Sequence, residues 1–168
     1  MMTSYSFTLS FVLPESLVES DDLDERLGEA GLLDATVGLG VSGQVGLAVK
    51  REASSAKLAV DSVIQEVKVA LPGSELVEAG PDYVGLSDAA ALFGISRQAI
   101  RKHWMQDPSF PTPIHKGHAS LWHWVDLVDW ASVKWPGRLG DEAGEVAWVV
   151  RRMNLERSAK KAGFSLVA

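Results

Sequence analysis

The chain contains no cysteine. That absence excludes disulfides, thiolate metal ligands and cysteine nucleophiles, and it agrees with a reducing compartment. No apolar run approaches the roughly 20 residues needed to cross a bilayer, and the opening MMTSYSFTLSFVLPES lacks the basic flank of a secretory signal. The expectation is a cytoplasmic protein without a membrane association. Cations are in deficit too: 16 Lys and Arg stand against 22 Asp and Glu, a net charge of −6. There is no internal repeat or low-complexity tract. No Ser/His/Asp order or acid pair assembles a nucleophile, base and oxyanion site, so neither catalysis nor a cofactor is expected. With 168 residues, 46% of them hydrophobic, the chain buries a proper core in one domain or two small ones.

The charge is segregated along the chain. Residues 1–80 carry 5 Lys and Arg against 13 Asp and Glu, residues 81–135 carry 5 against 5, and residues 136–168 carry 6 against 4. Within 96–118 the balance is 4 against 1. An acidic first half is compatible with a locally basic surface further on, because charge attraction in salt reaches only about 8 Å.

Punctuation and periodicity give the first eighty residues the order β-α-β-β-α-β. Ser4 to Leu13 is rich in aromatic and β-branched residues and stops at Pro14, and Asp21 to Ala30 is helical and ends before Gly31. Ala35 to Val41 and Gln44 to Arg51 read as two strands joined by Ser42-Gly43. Ser54 to Leu71 has apolar residues at helical period and is ended by Pro72-Gly73, and Glu75 to Ala79 supplies a last strand. This order fits an α+β ferredoxin-like sandwich. Gly80-Pro81-Asp82 is the expected linker. Asp21, Asp22, Asp24 and Glu25 fall in the first turn of a helix, where the macrodipole favours carboxylates, and are given no catalytic role. Gly38 to Gly43 matches G-x-G-x-x-G, yet the following Gln44 to Val49 reads as a strand. Dinucleotide binding needs a helix there.

The most informative stretch is Leu86 to Trp104, LSDAAALFGISRQAIRKHW, which reads as two short helices joined by a glycine turn. Ser87 is the expected cap of the first helix, Ala89, Ala90, Leu92 and Phe93 its packing positions, and Gly94 the bend. Ser96 caps the second helix. Ile100 faces inward there, while Arg97, Gln98, Arg101 and Lys102 face outward, where side chains meet phosphates and base edges. Phe110 to Ala131 then reads as a hairpin with a basic tip, His115-Lys116-Gly117-His118, followed by a helix ending in Trp130.

Taken together, Val84 to Ala131 resembles the winged helix-turn-helix of the MerR, excisionase and AlpA-like DNA-binding families. The resemblance covers under a third of the chain. It implies sequence-directed binding of double-stranded DNA by a transcriptional regulator of bacterial or phage type, with a helix in the major groove and the wing against backbone or minor groove. Ser96, Arg97, Gln98, Arg101, Lys102, His115, Lys116 and His118 are the DNA-binding candidates. Gln98 suits adenine, Arg97 or Arg101 guanine, and Lys102 phosphate. His103 departs from the apolar or aromatic residue usual in these families, leaving the packing to Trp104 or giving the helix a different end.

The domains expected are 1–80, a ferredoxin-like dimerisation or sensor module; 81–135, the winged helix-turn-helix; and 136–168, a C-terminal helix. That helix, Asp141 to Ala162, carries a stripe of Ala143, Val146, Ala147, Val150 and Met153 and is a candidate for pairing in a homodimer. Two further functional readings belong beside the regulator: an antitoxin-like protein whose acidic N-terminal module binds a basic protein partner, and an excisionase-like factor that bends DNA. The four histidines share one window, but no carboxylate is spaced to complete a zinc site. Trp122, Trp124, Trp130, Trp135 and Trp148 are read as core rather than as a base-stacking platform.

Overall fold

The structure, a computed structural model, describes residues 1–166. Val167 and Ala168, the end of the expected C-terminal element, lie outside the described residues. The fold is α+β, with seven helices and two antiparallel sheets among the described residues. Its contacts divide into two compact units, one of Met1–Gly80 with Arg152–Ala168 and one of Pro81–Arg151. No helix among the described residues is long and apolar enough to cross a membrane.

The first unit contains β1 (Thr3–Val12), α1 (Glu15–Val18), α2 (Leu23–Glu29), β2 (Ala35–Gly38), β3 (Gln44–Ala53), α3 (Ala56–Ala70) and β4 (Glu75–Gly80). The strands form one sheet in the order β2-β3-β1-β4. Strict alternation along β1 buries Tyr5, Phe7, Leu9 and Phe11, and Phe7 and Leu9 lie opposite the equally buried Val49 and Leu47 of β3. Each such side chain contributes about 1.5–3 kcal/mol on leaving water. Helix α3 lays Ala59, Val60, Val63, Ile64 and Val67 into the core. It begins at Ser55, whose Oγ accepts the Leu58 N–H at 3.2 Å, and ends ahead of Pro72-Gly73.

Local chemistry moves several expected boundaries. Strand β2 stops at Gly38, so the connection to β3 is the loop 39–43 rather than a two-residue turn; Gly43 closes it at φ +75°. Strand β3 follows that glycine run. Asp21 and Asp22 precede α2: Asp22 occupies the cap position and its carboxylate accepts from Ser20 and Arg26, leaving only Asp24 and Glu25 in the first turn. Arg51 ties β3 to α3 and to the turn before β2, with two bonds of 2.8 Å to Asp34, one of 3.0 Å to Ser62 and an ion pair of 2.9 Å to Glu66. The guanidinium holds the Asp34 carboxyl below its ordinary range.

The second unit contains β5 (Tyr83–Val84), α4 (Leu86–Phe93), α5 (Arg97–Gln106), β6 (His115–Lys116), β7 (Ser120–His123), α6 (Trp124–Lys134) and the start of α7 (Asp141–Lys161). Its sheet runs β5-β7-β6. Trp122, Trp124 and Trp130 are buried with Phe93, Ile100, Phe110 and Leu127, and Trp104 and Trp135 pack against this cluster. The rings meet edge to face, as their quadrupoles favour: Trp104 to Trp122 at 4.9 Å, Phe110 to Trp130 at 4.8 Å. Two of the buried indoles donate to oxygen, Trp122 to the Pro111 carbonyl at 2.9 Å and Trp130 to Ser109 Oγ at 3.2 Å.

The expected closing helix runs past Trp130 to Lys134. The division between the two units falls within the expected linker Gly80-Pro81-Asp82, where Gly80 belongs to β4 and Asp82 is 1% exposed. The Asp82 carbonyl accepts the Trp124 N–H at 2.6 Å, and its carboxylate meets His123 Nδ1 at 2.7 Å. Helix α7 ends at Lys161 and is divided at Arg152 between the units. Val146, Ala147 and Val150 of its expected pairing stripe are buried within the chain, whereas Trp148, expected in the core, is 58% exposed.

Candidate functional site

Helix α4 is started by Gly85, not Ser87. The Asp88 carboxylate turns back to accept the Gly85 N–H at 3.1 Å, while Ser87 points to solvent. Leu92, expected to pack, is 40% exposed; Ala89, Ala90 and Phe93 carry the packing. The helix stops at Gly94, in the left-handed region at φ +67°. The Ile95 N–H reaches the Ala90 carbonyl at 3.0 Å and the Gly94 N–H the Ala91 carbonyl at 3.1 Å, a Schellman closure. Arg138 completes it, donating Nε to the Phe93 carbonyl at 3.0 Å and a terminal N–H to the Gly94 carbonyl at 3.3 Å. Its guanidinium also sits 5.8 Å from the centroid of the Trp135 ring. The angle between α4 and α5 is therefore fixed by a residue more than forty positions downstream.

Helix α5 starts at Ser96, whose Oγ accepts the Ala99 N–H at 3.1 Å, a cap worth about 1 kcal/mol. Ile100 is fully buried and anchors one side. Trp104 packs on Trp122, and His103 stands edge-on to Trp130 at 5.5 Å and Trp135 at 4.9 Å, so the histidine acts here as a packing ring. The helix ends at Gln106 because Pro108 forces Asp107 into an extended conformation. The Asp107 carboxylate accepts from the Ser109 N–H and hydroxyl and pairs with Lys134 at 2.7 Å. Lys134 foremost, with Ser109, holds that carboxyl far below the usual range.

Among the helices of the described residues, only α5 contains no carboxylate. Arg97, Gln98, Arg101 and Lys102 are all exposed, joined by Met105 and Gln106, and the helix has no carboxylate. Among the described residues, Arg97, Arg101 and Lys102 take part in no ion pair. Like charges at Arg97 and Arg101, four residues apart, cost an isolated helix a few tenths of a kcal/mol. A cation at the first helical position also opposes the macrodipole. An anionic partner at this face would relieve both costs.

In the hairpin, His115 pairs with Leu121 and Lys116 with Ser120, leaving Gly117, His118 and Ala119 at the tip. His115, Lys116 and His118 are exposed. Strand β5, which the sequence reading did not include, braces the hairpin from the other side, with Tyr83 opposite His123 and Val84 opposite Trp122. The four histidines divide into a packing ring at 103, a carboxylate partner at 123 and two exposed rings at 115 and 118. Among the described residues no group of three or more His, Asp or Glu side chains is placed to hold a metal ion.

Two contributors escaped the sequence reading. Asp82 sits in the expected linker, and no local pattern pairs it with His123 across 41 positions. Arg138 lies in the breaker WPGRLG, where an arginine ordinarily means solvent. Comparison with protein-family models, curated proteins and solved structures returns no match to this chain.

Proposed function

We propose that this chain is a sequence-specific binder of double-stranded DNA, a transcriptional regulator of bacterial or phage type. In this reading α4 and α5 are a helix-turn-helix, α5 is its recognition helix in the major groove, and the β6–β7 hairpin is a wing against backbone or minor groove. The observation that carries it is the exposed, carboxylate-free face of Arg97, Gln98, Arg101 and Lys102 on a helix anchored by Ile100. The lock of Arg138 on the turn supports it as well, because base readout demands a fixed helix angle. The first unit is read as a ferredoxin-like module. Supporting that reading are its antiparallel strand order β2-β3-β1-β4 and the helices α2 and α3 in its crossovers.

Roles follow from donor chemistry. Arg97 and Arg101 suit bidentate contact with guanine and Gln98 with adenine, each worth about 1–3 kcal/mol of discrimination. Lys102, Lys116, His115 and His118 suit phosphate, which positions without reading sequence. In a binding titration on the preferred duplex across salt concentrations, the Arg97→Ala/Arg101→Ala variant loses preference for that duplex over a scrambled one. Lys102→Ala instead lowers affinity for both alike and flattens the log–log salt slope by about one unit. Unchanged discrimination in the double arginine variant would remove α5 from the reading role.

A further inference from the structure

We infer that the open edge of β2 is the seam at which two copies of this chain pair. The four-stranded sheet has two edges, and the chain treats them differently. At the β4 edge, Asn154 of α7 accepts the Ala79 N–H at 2.9 Å and donates to the Ala79 carbonyl at 2.7 Å, as a neighbouring strand would. Arg157 takes the Val77 carbonyl at 2.6 Å. That edge is closed by side chains. The β2 edge is short, four residues, but Ala35–Gly38 holds no lysine, no proline and no register shift against β3, and no side chain is bonded along it among the hydrogen bonds of the described residues.

The pairing with β3 sets which groups point outward. The Lys50 N–H bonds to the Asp34 carbonyl, so 34 and 50 form a hydrogen-bonded pair. By alternation Thr36 and Gly38 pair inward likewise, and Ala35 and Val37 direct their N–H and C=O away from the sheet. Large apolar side chains lie exposed on both sides of this short edge: Leu33 at 85%, Leu39 at 51% and Val41 at 60%.

Charge selects a second copy as the occupant. Residues 1–80 carry 13 carboxylates against 5 cations, so most surfaces of this segment repel their own copy. Residues 35–49 contain no charged side chain. Two copies meeting here face no like-charge penalty, whereas a basic partner finds nothing to attract it at this edge. An antiparallel strand edge is also complementary to itself about a twofold axis, which closes the assembly at two.

The pairing does not depend on DNA binding, so it is measured first without DNA, on the full chain, by sedimentation equilibrium at micromolar concentration. The wild type is expected to be dimeric. Val37→Pro removes an outward N–H without removing a bond to β3, and Thr36→Lys sets like charges against each other across the axis from an exposed position. Both are expected to weaken the dimer by roughly a hundredfold or more, with circular dichroism and the melting temperature of the monomer retained. Thr36→Lys stands as the test should the proline variant fail to fold. A monomeric wild type, or a folded Thr36→Lys variant that remains fully dimeric, would overturn the inference. On DNA, the monomeric variants keep wild-type affinity for one half-site and lose cooperative binding to two. A wild-type dimer with no DNA affinity would sink the DNA reading and leave the seam standing.

Discussion

The two units bury themselves by different means. The first relies on a sheet with period-two alternation, in which Phe7, Leu9, Phe11, Val45 and Leu47 are buried as is the inner side of α3, and polar locks such as Arg51 with Asp34 and Glu66 sit at its margin. The second has short strands of two to four residues and depends on packed tryptophan rings, two of which, Trp122 and Trp130, also donate their indole N–H to an oxygen. Short strands cannot hold a hairpin by ladder bonds alone, so bulky rings beneath it supply the rigidity. Charge differs in the same way. The first unit spreads carboxylates over its surface, while the second gathers unpaired cations on one helix.

The sharpest way to break this contrast is Trp122→Ala. It removes a fully buried ring that packs on Trp104 and Phe110, and a loss of about 3–5 kcal/mol is expected. Hydrogen exchange should show protection lost across α4, α5 and α6 while amides of β1 and β3 keep theirs. Equal loss in β1 and β3 would erase the division into two units.

Asn154→Ala probes the first unit at its closed edge. Leaving the Ala79 N–H and C=O without their side-chain partner is expected to cost about 1–3 kcal/mol in the denaturant midpoint. Asn154→Asp should cost more, because a carboxylate then faces the Ala79 carbonyl. Equal midpoints for wild type and both variants would mean that α7 does not close β4.

The smallest effect expected is one of pH. Because Arg51 lowers the Asp34 carboxyl in the folded chain, Asp34 contributes stability above the unfolded carboxylate pKa of about 3.9 that is lost as pH falls through its folded value. Asp34→Asn should therefore melt below wild type at pH 7 and converge with it in strong acid. A constant gap across that range would show that the ion pair adds no pH-linked stability.

Much of this was legible because it rests on local rules. Alternation in β1 and β3, Ser96 as a cap, and Gly94 at the bend all follow from a few neighbouring residues. So did the outward face of α5, since Ile100 fixes which side is buried. What was not legible depends on distant partners. Ser87 yields the cap to Gly85 because Asp88 reaches back, and Leu92 is left exposed on α4. Asp82, Arg138 and Asn154 act across 41, 45 and 75 positions. Only Asn154 left a trace in the sequence, a polar residue four positions after Val150 on the buried stripe of α7.

The central claim is that the face of Arg97, Gln98, Arg101 and Lys102 reads duplex sequence. Its most direct test is selection of bound duplexes from a random pool, run at two salt concentrations with the wild type and the Arg97→Ala/Arg101→Ala variant. The account predicts one enriched motif for the wild type at both salts, with guanine positions that the variant no longer selects. No enrichment at either salt, or the same motif from both proteins, would contradict it.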